Sequence, residues 1–181
     1  MRVITGTAKG CRLETLTGLD TRPTVERVKE GLFSAISFEI EGRRVLDLFA
    51  GSGQMGIEAL SRGAASCLFV DRSREAVAVI RRNLQATKLA ANATVIAEDA
   101  LSALSRQRGP FDLVLLDPPY ADGLLLPCLE LLGDKVSVGG AVLCESDRET
   151  DLPETVGPLR LQRTYRYGRV FVRLYRREEQ A

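Results

Sequence analysis

Residues 45–56 have the sequence VLDLFAGSGQMG, in which a short apolar run leads into three closely spaced glycines. The apolar run predicts a buried first strand, and Gly51, Gly53 and Gly56 predict a tight turn that opens a helix. Asp71 lies twenty residues beyond Gly51, at the end of the next apolar run. Strand, glycine turn, helix and a following acid together predict a nucleotide-binding βαβ unit in an α/β fold.

Alternating strands and helices continue beyond this unit. The pattern predicts strands at residues 67–70, 93–97, 111–116 and 141–144 and helices at 55–60, 74–87, 100–106 and 124–132. Such alternation favours a mostly parallel sheet. Residues 159–165 and 170–175 are also strand-like, and the short gap between them predicts an antiparallel C-terminal hairpin that closes the sheet.

The first residues form a separate segment. Residues 2–5 and 11–16 predict a short β-hairpin, and a helix is predicted at residues 25–38. We therefore predict an N-terminal extension at residues 1–20 and a main domain at residues 21–181.

The composition restricts the chemistry. The chain has 181 residues, 45% of them hydrophobic, and no histidine, so serine–histidine and cysteine–histidine catalysis are excluded. The four cysteines are scattered without a CxxC pair, and we expect reduced thiols and no metal site. No apolar run approaches the roughly 20 residues of a membrane helix. The apolar stretch near residue 1 is too short for a secretory signal. These features predict a cytoplasmic protein.

The basic residues are unevenly distributed, although the net charge is only +1. Arg2, Lys9 and Arg12 occur without an acid in residues 1–13, and residues 160–177 contain seven arginines, four aromatics and no acid. Basic surfaces with aromatics fit contact with phosphates and bases. An edge hairpin whose charged outer face keeps it soluble explains the second cluster equally well.

Three carboxylates predict the cofactor. Asp71 is positioned to accept hydrogen bonds from both hydroxyls of a ribose. Asp47 lies inside the first strand, where it would attract a cationic sulfonium and repel a pyrophosphate, which favours S-adenosylmethionine over NAD. Asp99 follows the third strand and could accept from an adenine amine or cap the next helix. An NAD enzyme stays open at this point.

Asp117-Pro118-Pro119-Tyr120 follows the fourth strand directly, at the edge where open α/β sheets bind ligands. Two successive prolines hold the backbone stiff and extended. An exocyclic base amine is a weak nucleophile because its lone pair is delocalised into the ring. Asp117 and the Pro118 carbonyl would accept both amine protons and aim the lone pair at a methyl group, while Tyr120 would stack on the base. We predict Asp117, Pro118 and Tyr120 as catalytic residues.

These motifs also carry a resemblance. Asp117-Pro118-Pro119-Tyr120 and residues 45–53 together resemble the amino-methylating class I methyltransferases. The segments RVITG at 2–6, TRPT at 21–24 and RVKE at 27–30 are similar to the bacterial 16S ribosomal RNA guanine-N2 methyltransferases of the RsmD family. The resemblance covers almost the whole chain.

The resemblance implies a Rossmann-like class I methyltransferase with a seven-stranded sheet. It further implies transfer of a methyl group to the exocyclic N2 of a guanine in the small ribosomal subunit or its assembly intermediate, by a protein expected to be a monomer. The N-terminal extension and the segment at 21–24 would then contact substrate, and we expect the substrate-binding residues to be Arg2, Lys9, Arg12, Arg22 and Pro119. Gln54-Met55 departs from the family pattern, which has small or apolar residues there.

Two other functions stay open. Adenine-N6 methylation of DNA uses the same Asp-Pro-Pro-Tyr chemistry, but such enzymes usually carry a sizeable target-recognition region for which 181 residues leave little room. A nucleotide-binding module without methyl transfer would leave Asp117-Pro118-Pro119-Tyr120 unexplained. Structured RNA, which supplies its own shape, suits a small enzyme better.

Overall fold

The computed structural model describes residues 1–16, 23–36, 39–119, 123–146 and 151–179. In these ranges the chain forms five α-helices and eight strands. The helices are α1 Pro23–Ala35, α2 Gln54–Ser61, α3 Arg74–Ala86, α4 Ala100–Arg106 and α5 Leu125–Leu132. The strands are β1 Arg44–Leu48, β2 Ser66–Asp71, β3 Ala93–Ala97, β4 Phe111–Leu116, β5 Val136–Ser146, β6 Thr155–Val156, β7 Leu159–Tyr167 and β8 Val170–Arg177.

All eight strands belong to one sheet, in the order β3-β2-β1-β4-β5-β8-β7-β6. Strands β1 to β5 are parallel, whereas β8 pairs antiparallel with β5 and with β7. The mostly parallel sheet closed by an antiparallel hairpin is therefore confirmed.

The predicted count of seven strands is one too low. The additional strand, β6, has two residues, which pair antiparallel with Leu159 and Arg160 of β7. Two residues cannot display the alternation on which strand prediction rests. Strand β5 also extends beyond its predicted range, because Gly139 and Gly140 interrupt the apolar pattern inside it and its polar end continues to Ser146.

Two apolar clusters cover the two faces of the sheet. One contains the buried side chains of α1, α2 and α3, and the other contains those of α4 and α5. Along β1, Val45 belongs to the first cluster and Leu46 and Leu48 to the second, as the two-residue period of a strand requires. Because both faces are covered, these strands are continuously apolar rather than alternating.

The N-terminal segment packs on the first cluster. Its predicted hairpin is reduced to one isolated bridge between Arg2 and Arg12, with the Val3 amide donating to the Cys11 carbonyl at 3.0 Å. Val3, Ala8 and Leu13 are buried against the helices of the main domain, so apolar packing holds the segment more than strand pairing does. The predicted boundary at residue 20 lies outside the described residues. Within the described ranges, none of the helices combines the length and hydropathy needed to cross a bilayer.

Candidate active site

A cavity of about 460 Å³ opens at the carboxyl ends of the parallel strands. This volume is typical of sites for small molecules and cofactors. The loops after β1, β2, β3 and β4 all contribute to it, as expected for the switch point of a sheet in which strand order reverses beside β1. The predicted site residues that line it are Asp47, Gly51, Asp71, Asp99, Asp117, Pro118 and Pro119.

The glycine loop brings backbone to the cavity wall. Gly51 and Gly53 have φ angles of +56° and +76°, which glycine adopts without the steric penalty of a side chain. Gly53 is the N-cap of α2, and a Cβ at this position would lie 3.1 Å from Ile80 Cγ1. It is not among the residues that line the cavity, so its role is to shape the loop. Phe49 has a φ of +62°, a strained conformation for an aromatic residue that the sequence did not reveal.

Asp47 lies at the base of the cavity and is 3% exposed. Its Oδ2 accepts from the Gly56 amide at 2.9 Å. Burial, opposed by this hydrogen bond and helped by the nearby Asp71 carboxylate, raises the pKa of Asp47 to about 7. A buried carboxyl in this position gains most by facing a cation, which would favour its ionised form.

Asp71 and Asp99 have structural partners as well as cavity positions. Asp71 accepts from the Gly51 amide and from the Ser73 amide, each at 2.8 Å, and so ties the glycine loop to the loop after β2. Asp99 Oδ1 accepts from the Ser102 amide at 3.1 Å and caps α4, which is the alternative role noted above. Each carboxylate has lone pairs beyond those bonds, and both residues line the cavity.

Asp117 and Pro118 line the cavity just beyond the end of β4, the strand that pairs with β1. Asp117 is open to solvent through the cavity, yet protein surrounds its carboxyl group. This burial, with the carboxylates of Glu145 and Asp47 nearby, raises the pKa of Asp117 well above its usual range. Pro118 is buried and Pro119 exposed, while Tyr120 lies outside the described residues.

Gln54 supplies an acceptor that the sequence analysis treated only as a departure from a pattern. It is the first residue of α2 and lines the cavity. Its Oε1 is buried and has no hydrogen-bond partner among the described residues. A buried acceptor without a donor is costly, so a ligand that brings an ammonium or amide donor would be stabilised here.

The N-terminal segment borders the cavity. Met1, Thr15 and Leu16 are among the lining residues. Arg2, Lys9 and Arg12 are exposed on the same segment, whereas Arg22 lies outside the described residues. None of these three residues lines the cavity, and the turn that carries Lys9 packs on Ser61 at the C-terminal end of α2, so their contact with substrate stays a prediction.

A buried ion pair that sequence reasoning missed fixes this segment. Glu58 on α2, fully buried, accepts from the Ile4 and Thr5 amides at 2.9 and 3.0 Å. Lys29 of α1 lies 3.4 Å from its carboxylate and donates to the Arg2 carbonyl at 2.8 Å. Lys29 also lines the cavity, so the site, the helices and the extension share one network.

The seven C-terminal arginines divide by environment. Arg173 is buried, and Arg176 and Arg177 bind backbone carbonyls of neighbouring segments. The others lie on the exposed side of the β7–β8 hairpin; they are Arg160, Arg163, Arg166 and Arg169. Because Phe171 of β8 pairs with Ser146 at the carboxyl end of β5, the tip of this hairpin lies at the same sheet edge as the cavity. The exposed arginines fit a charged outer face of the hairpin, and their contact with phosphates stays a prediction.

Asp71→Ala is expected to weaken binding of S-adenosylmethionine at least tenfold, because each lost charge-assisted hydrogen bond costs roughly 1.5–3 kcal/mol. Isothermal titration calorimetry measures the affinity. Ser73→Ala is the matched control, since it removes the cap of α3 from the same loop and no predicted ligand contact. Equal affinities for Asp71→Ala and the unmodified protein would remove the ribose assignment.

Comparison with known proteins agrees with this geometry. A family model described as Conserved hypothetical protein 95 matches residues 1–176. Ribosomal RNA small subunit methyltransferase D of Escherichia coli K12 is 37% identical over 182 residues, covering 99% of this chain and 91% of that protein. YlbH of Bacillus subtilis, a candidate rRNA methyltransferase, is 43% identical over 182 residues, which cover 98% of this chain and 99% of that protein.

Solved structures share the architecture. A candidate methyltransferase from Escherichia coli, yhhF, superposes with a TM-score of 0.88 at 36% identity and covers 99% of each chain. SMU.776, a more distant protein solved in complex with SAH, has a TM-score of 0.66 at 18% identity. The superposition covers 83% of this chain and 48% of the SMU.776 chain. The predicted class I methyltransferase fold is confirmed. In the described part of the chain, no group of three or more His, Cys, Asp or Glu side chains could hold a metal ion.

Proposed function

The chain belongs to the Conserved hypothetical protein 95 family, the RsmD family, and we propose that it transfers a methyl group from S-adenosylmethionine to the exocyclic N2 of a guanine in 16S ribosomal RNA. One observation carries the proposal. Asp117 and Pro118, which the amine chemistry requires, line the same cavity as the glycine loop and Asp71, which the cofactor requires.

The residues present fit S-adenosylmethionine, which supplies an electrophilic methyl group on a sulfonium. Asp71 would accept from the ribose hydroxyls and Asp99 from the adenine amine. The Gly51 backbone would approach the ligand closely, with Gly53 holding the loop in shape. Asp47 and Gln54, a buried carboxyl and a buried acceptor without a donor, match the cationic methionine end.

At the end of β4, Asp117 and the Pro118 carbonyl would accept the two protons of the base amine. This orients the nitrogen lone pair toward the methyl group, with Tyr120 stacked on the base and Pro119 beside it. When bound, S-adenosylmethionine would supply the methyl group to this lone pair, the N–C bond forming as the S–C bond breaks and leaves its electron pair on sulfur. The methylated nitrogen then releases one proton to Asp117 or to water. Positioning of this kind supplies a large share of the rate enhancement.

The surface around the cavity favours structured RNA. Arg2, Lys9 and Arg12 on the extension, residues 1–20, would contact phosphates beside the methyltransferase domain, residues 21–181, together with Arg22. The exposed arginines of the hairpin tip lie at the same edge. A substrate of this kind, the small subunit or its assembly intermediate, implies that the protein acts in the cytoplasm, and a monomer suffices for the chemistry.

Transfer of labelled methyl groups tests the substrate class. The protein would be incubated with labelled S-adenosylmethionine and three acceptors: small subunits from cells lacking the gene, protein-free 16S RNA, and unmethylated genomic DNA. We expect label in ribosomal RNA. The ratio of label in the subunit to label in protein-free RNA then tells whether the enzyme needs the RNA in its assembled conformation. Label in DNA alone would overturn the RNA assignment in favour of adenine methylation.

The affinity for S-adenosylmethionine is expected to rise with pH, roughly tenfold between about pH 6 and about pH 7.5. The pKa of Asp47 is raised to about 7 in the folded protein, so its ionised form, which attracts the cation, forms only as the pH approaches that value. In the absence of ligand, the free energy of unfolding falls as the pH rises from about 4 to about 7. The reason is that Asp47 keeps its proton to a higher pH in the folded state than in the unfolded state.

Calorimetry at several pH values, in buffers of different ionisation heat, measures both the affinity and the protons released. Asp47→Asn is the matched control, since the amide oxygen can still accept from Gly56 but cannot ionise. An unchanged pH dependence in Asp47→Asn would attribute the effect to the amino group of the ligand instead.

A further inference from the structure

Glu145 lies where the first cavity meets a second one. The second cavity, of about 110 Å³, is adjacent to the main cavity and shares with it Pro118, Pro119, Leu124 and Glu145. Glu145 is half-buried near the end of β5. Of the residues shared by the two cavities, it is the one with a charged side chain.

The register of the sheet places Glu145 beside Asp117. Leu116 at the end of β4 pairs with Cys144 of β5, so the next residue on each strand stands at the same level. Neighbouring strands lie about 4.8 Å apart. The Glu145 carboxylate is also close enough to raise the pKa of Asp117. Two carboxyl groups therefore face adjoining parts of one pocket.

A guanine presents two kinds of donor next to each other. Its Watson–Crick edge carries the N2 amine, with two protons, and beside it the N1–H. If Asp117 and Pro118 hold the amine, the N1–H points to the neighbouring part of the pocket and needs an acceptor. Adenine in the same orientation presents its 6-amine beside N1, which has a lone pair instead of a proton.

We propose that Glu145 accepts a hydrogen bond from guanine N1–H and thereby selects guanine over adenine. The inference rests on the proposed function and names the residue that sets its base specificity. A carboxylate facing the lone pair of adenine N1 would place an acceptor opposite an acceptor. Sites built to hydrogen-bond a polar group of the substrate reject an analogue without that group by large factors.

The two carboxylates then have separate tasks. Asp117 positions the reacting nitrogen, whereas Glu145 recognises an atom that does not react. Loss of Glu145 should therefore lower discrimination between bases, and loss of Asp117 should lower transfer to every base.

The test compares guanine with 2-aminopurine, which keeps the 2-amine but has an unprotonated N1. Small subunits would be reconstituted from 16S RNA carrying either base at the position that the unmodified enzyme methylates. For the unmodified enzyme we expect single-turnover methylation of guanine to be faster by about 100-fold. In Glu145→Gln we expect the preference to fall to a few fold, because an amide can either accept from N1–H or donate to a bare N1.

Glu130→Gln is the matched control, with the same change on the exposed side of α5. Its preference should equal that of the unmodified enzyme, and the affinity of each variant for S-adenosylmethionine checks that it is folded. A Glu145→Gln variant that binds S-adenosylmethionine and keeps the full preference for guanine would overturn the role of Glu145. Absence of methylation by the unmodified enzyme would instead reject the proposed function itself.

Discussion

Asp117→Ala is expected to lower the rate of methyl transfer about 10³-fold while the affinity for S-adenosylmethionine changes by only a few fold. The carboxylate orients the amine lone pair, and removal of one positioning or stabilising group at a reacting centre commonly costs 10²–10³-fold. Single-turnover transfer with labelled cofactor measures the rate, and calorimetry measures the affinity. Because burial and the neighbouring acids raise the pKa of Asp117, transfer should also increase with pH as this carboxyl ionises.

Asp112→Ala is the control on the same strand. Asp112 accepts from the Arg44 amide at 2.9 Å at the opposite edge of the sheet, so its loss perturbs β4 without reaching the cavity. Its rate should stay within a few fold of the unmodified enzyme. An Asp117→Ala variant that loses cofactor affinity and transfer in equal measure would make Asp117 a cofactor or folding residue.

Glu58→Gln is expected to lower the free energy of unfolding by about 3–5 kcal/mol, the cost of breaking a buried ion pair by removing one charge. Glu58 and Lys29 are 0% and 1% exposed, and the carboxylate also accepts from the backbone of the N-terminal segment. The amide would remove the negative charge beside Lys29 and turn an NH₂ group toward backbone donors. Urea denaturation with comparison of midpoint and slope measures the change.

Glu14→Gln is the matched control for this prediction. Glu14 joins the same segment to Arg82 of α3 at 2.7 Å, but both side chains are about half exposed. Exposed pairs contribute about 0–1 kcal/mol. A loss in Glu58→Gln as small as that in Glu14→Gln would mean that apolar packing alone holds the segment.

Much of the fold could be predicted because its signals are local. The strand at 93–97, the helix at 100–106 and the strand at 111–116 match the structure residue for residue. The glycine turn and the acids at strand ends were also predictable, since the carboxyl ends of parallel strands meet at one edge. Asp47, Asp71, Asp99 and Asp117 do line one cavity.

Other features depend on contacts between distant parts of the chain. Glu58 is paired with Lys29 across 29 residues, and in sequence nothing distinguishes it from the other acids of the chain. Glu145 gains its position from the register between β4 and β5, which the sequence does not display. The two-residue strand β6 exists only because β7 is there to pair with it.

Mass spectrometry of nucleosides identifies the methylated atom after the pure protein has acted on small ribosomal subunits that lack its modification, with unmethylated DNA in parallel. We expect one new nucleoside, N2-methylguanosine, in the 16S RNA of the subunits. N6-methyladenine in the DNA, with unmodified guanine in the RNA, would overturn the assignment of the substrate and of the methylated atom. The assignment of the cofactor site would be unaffected.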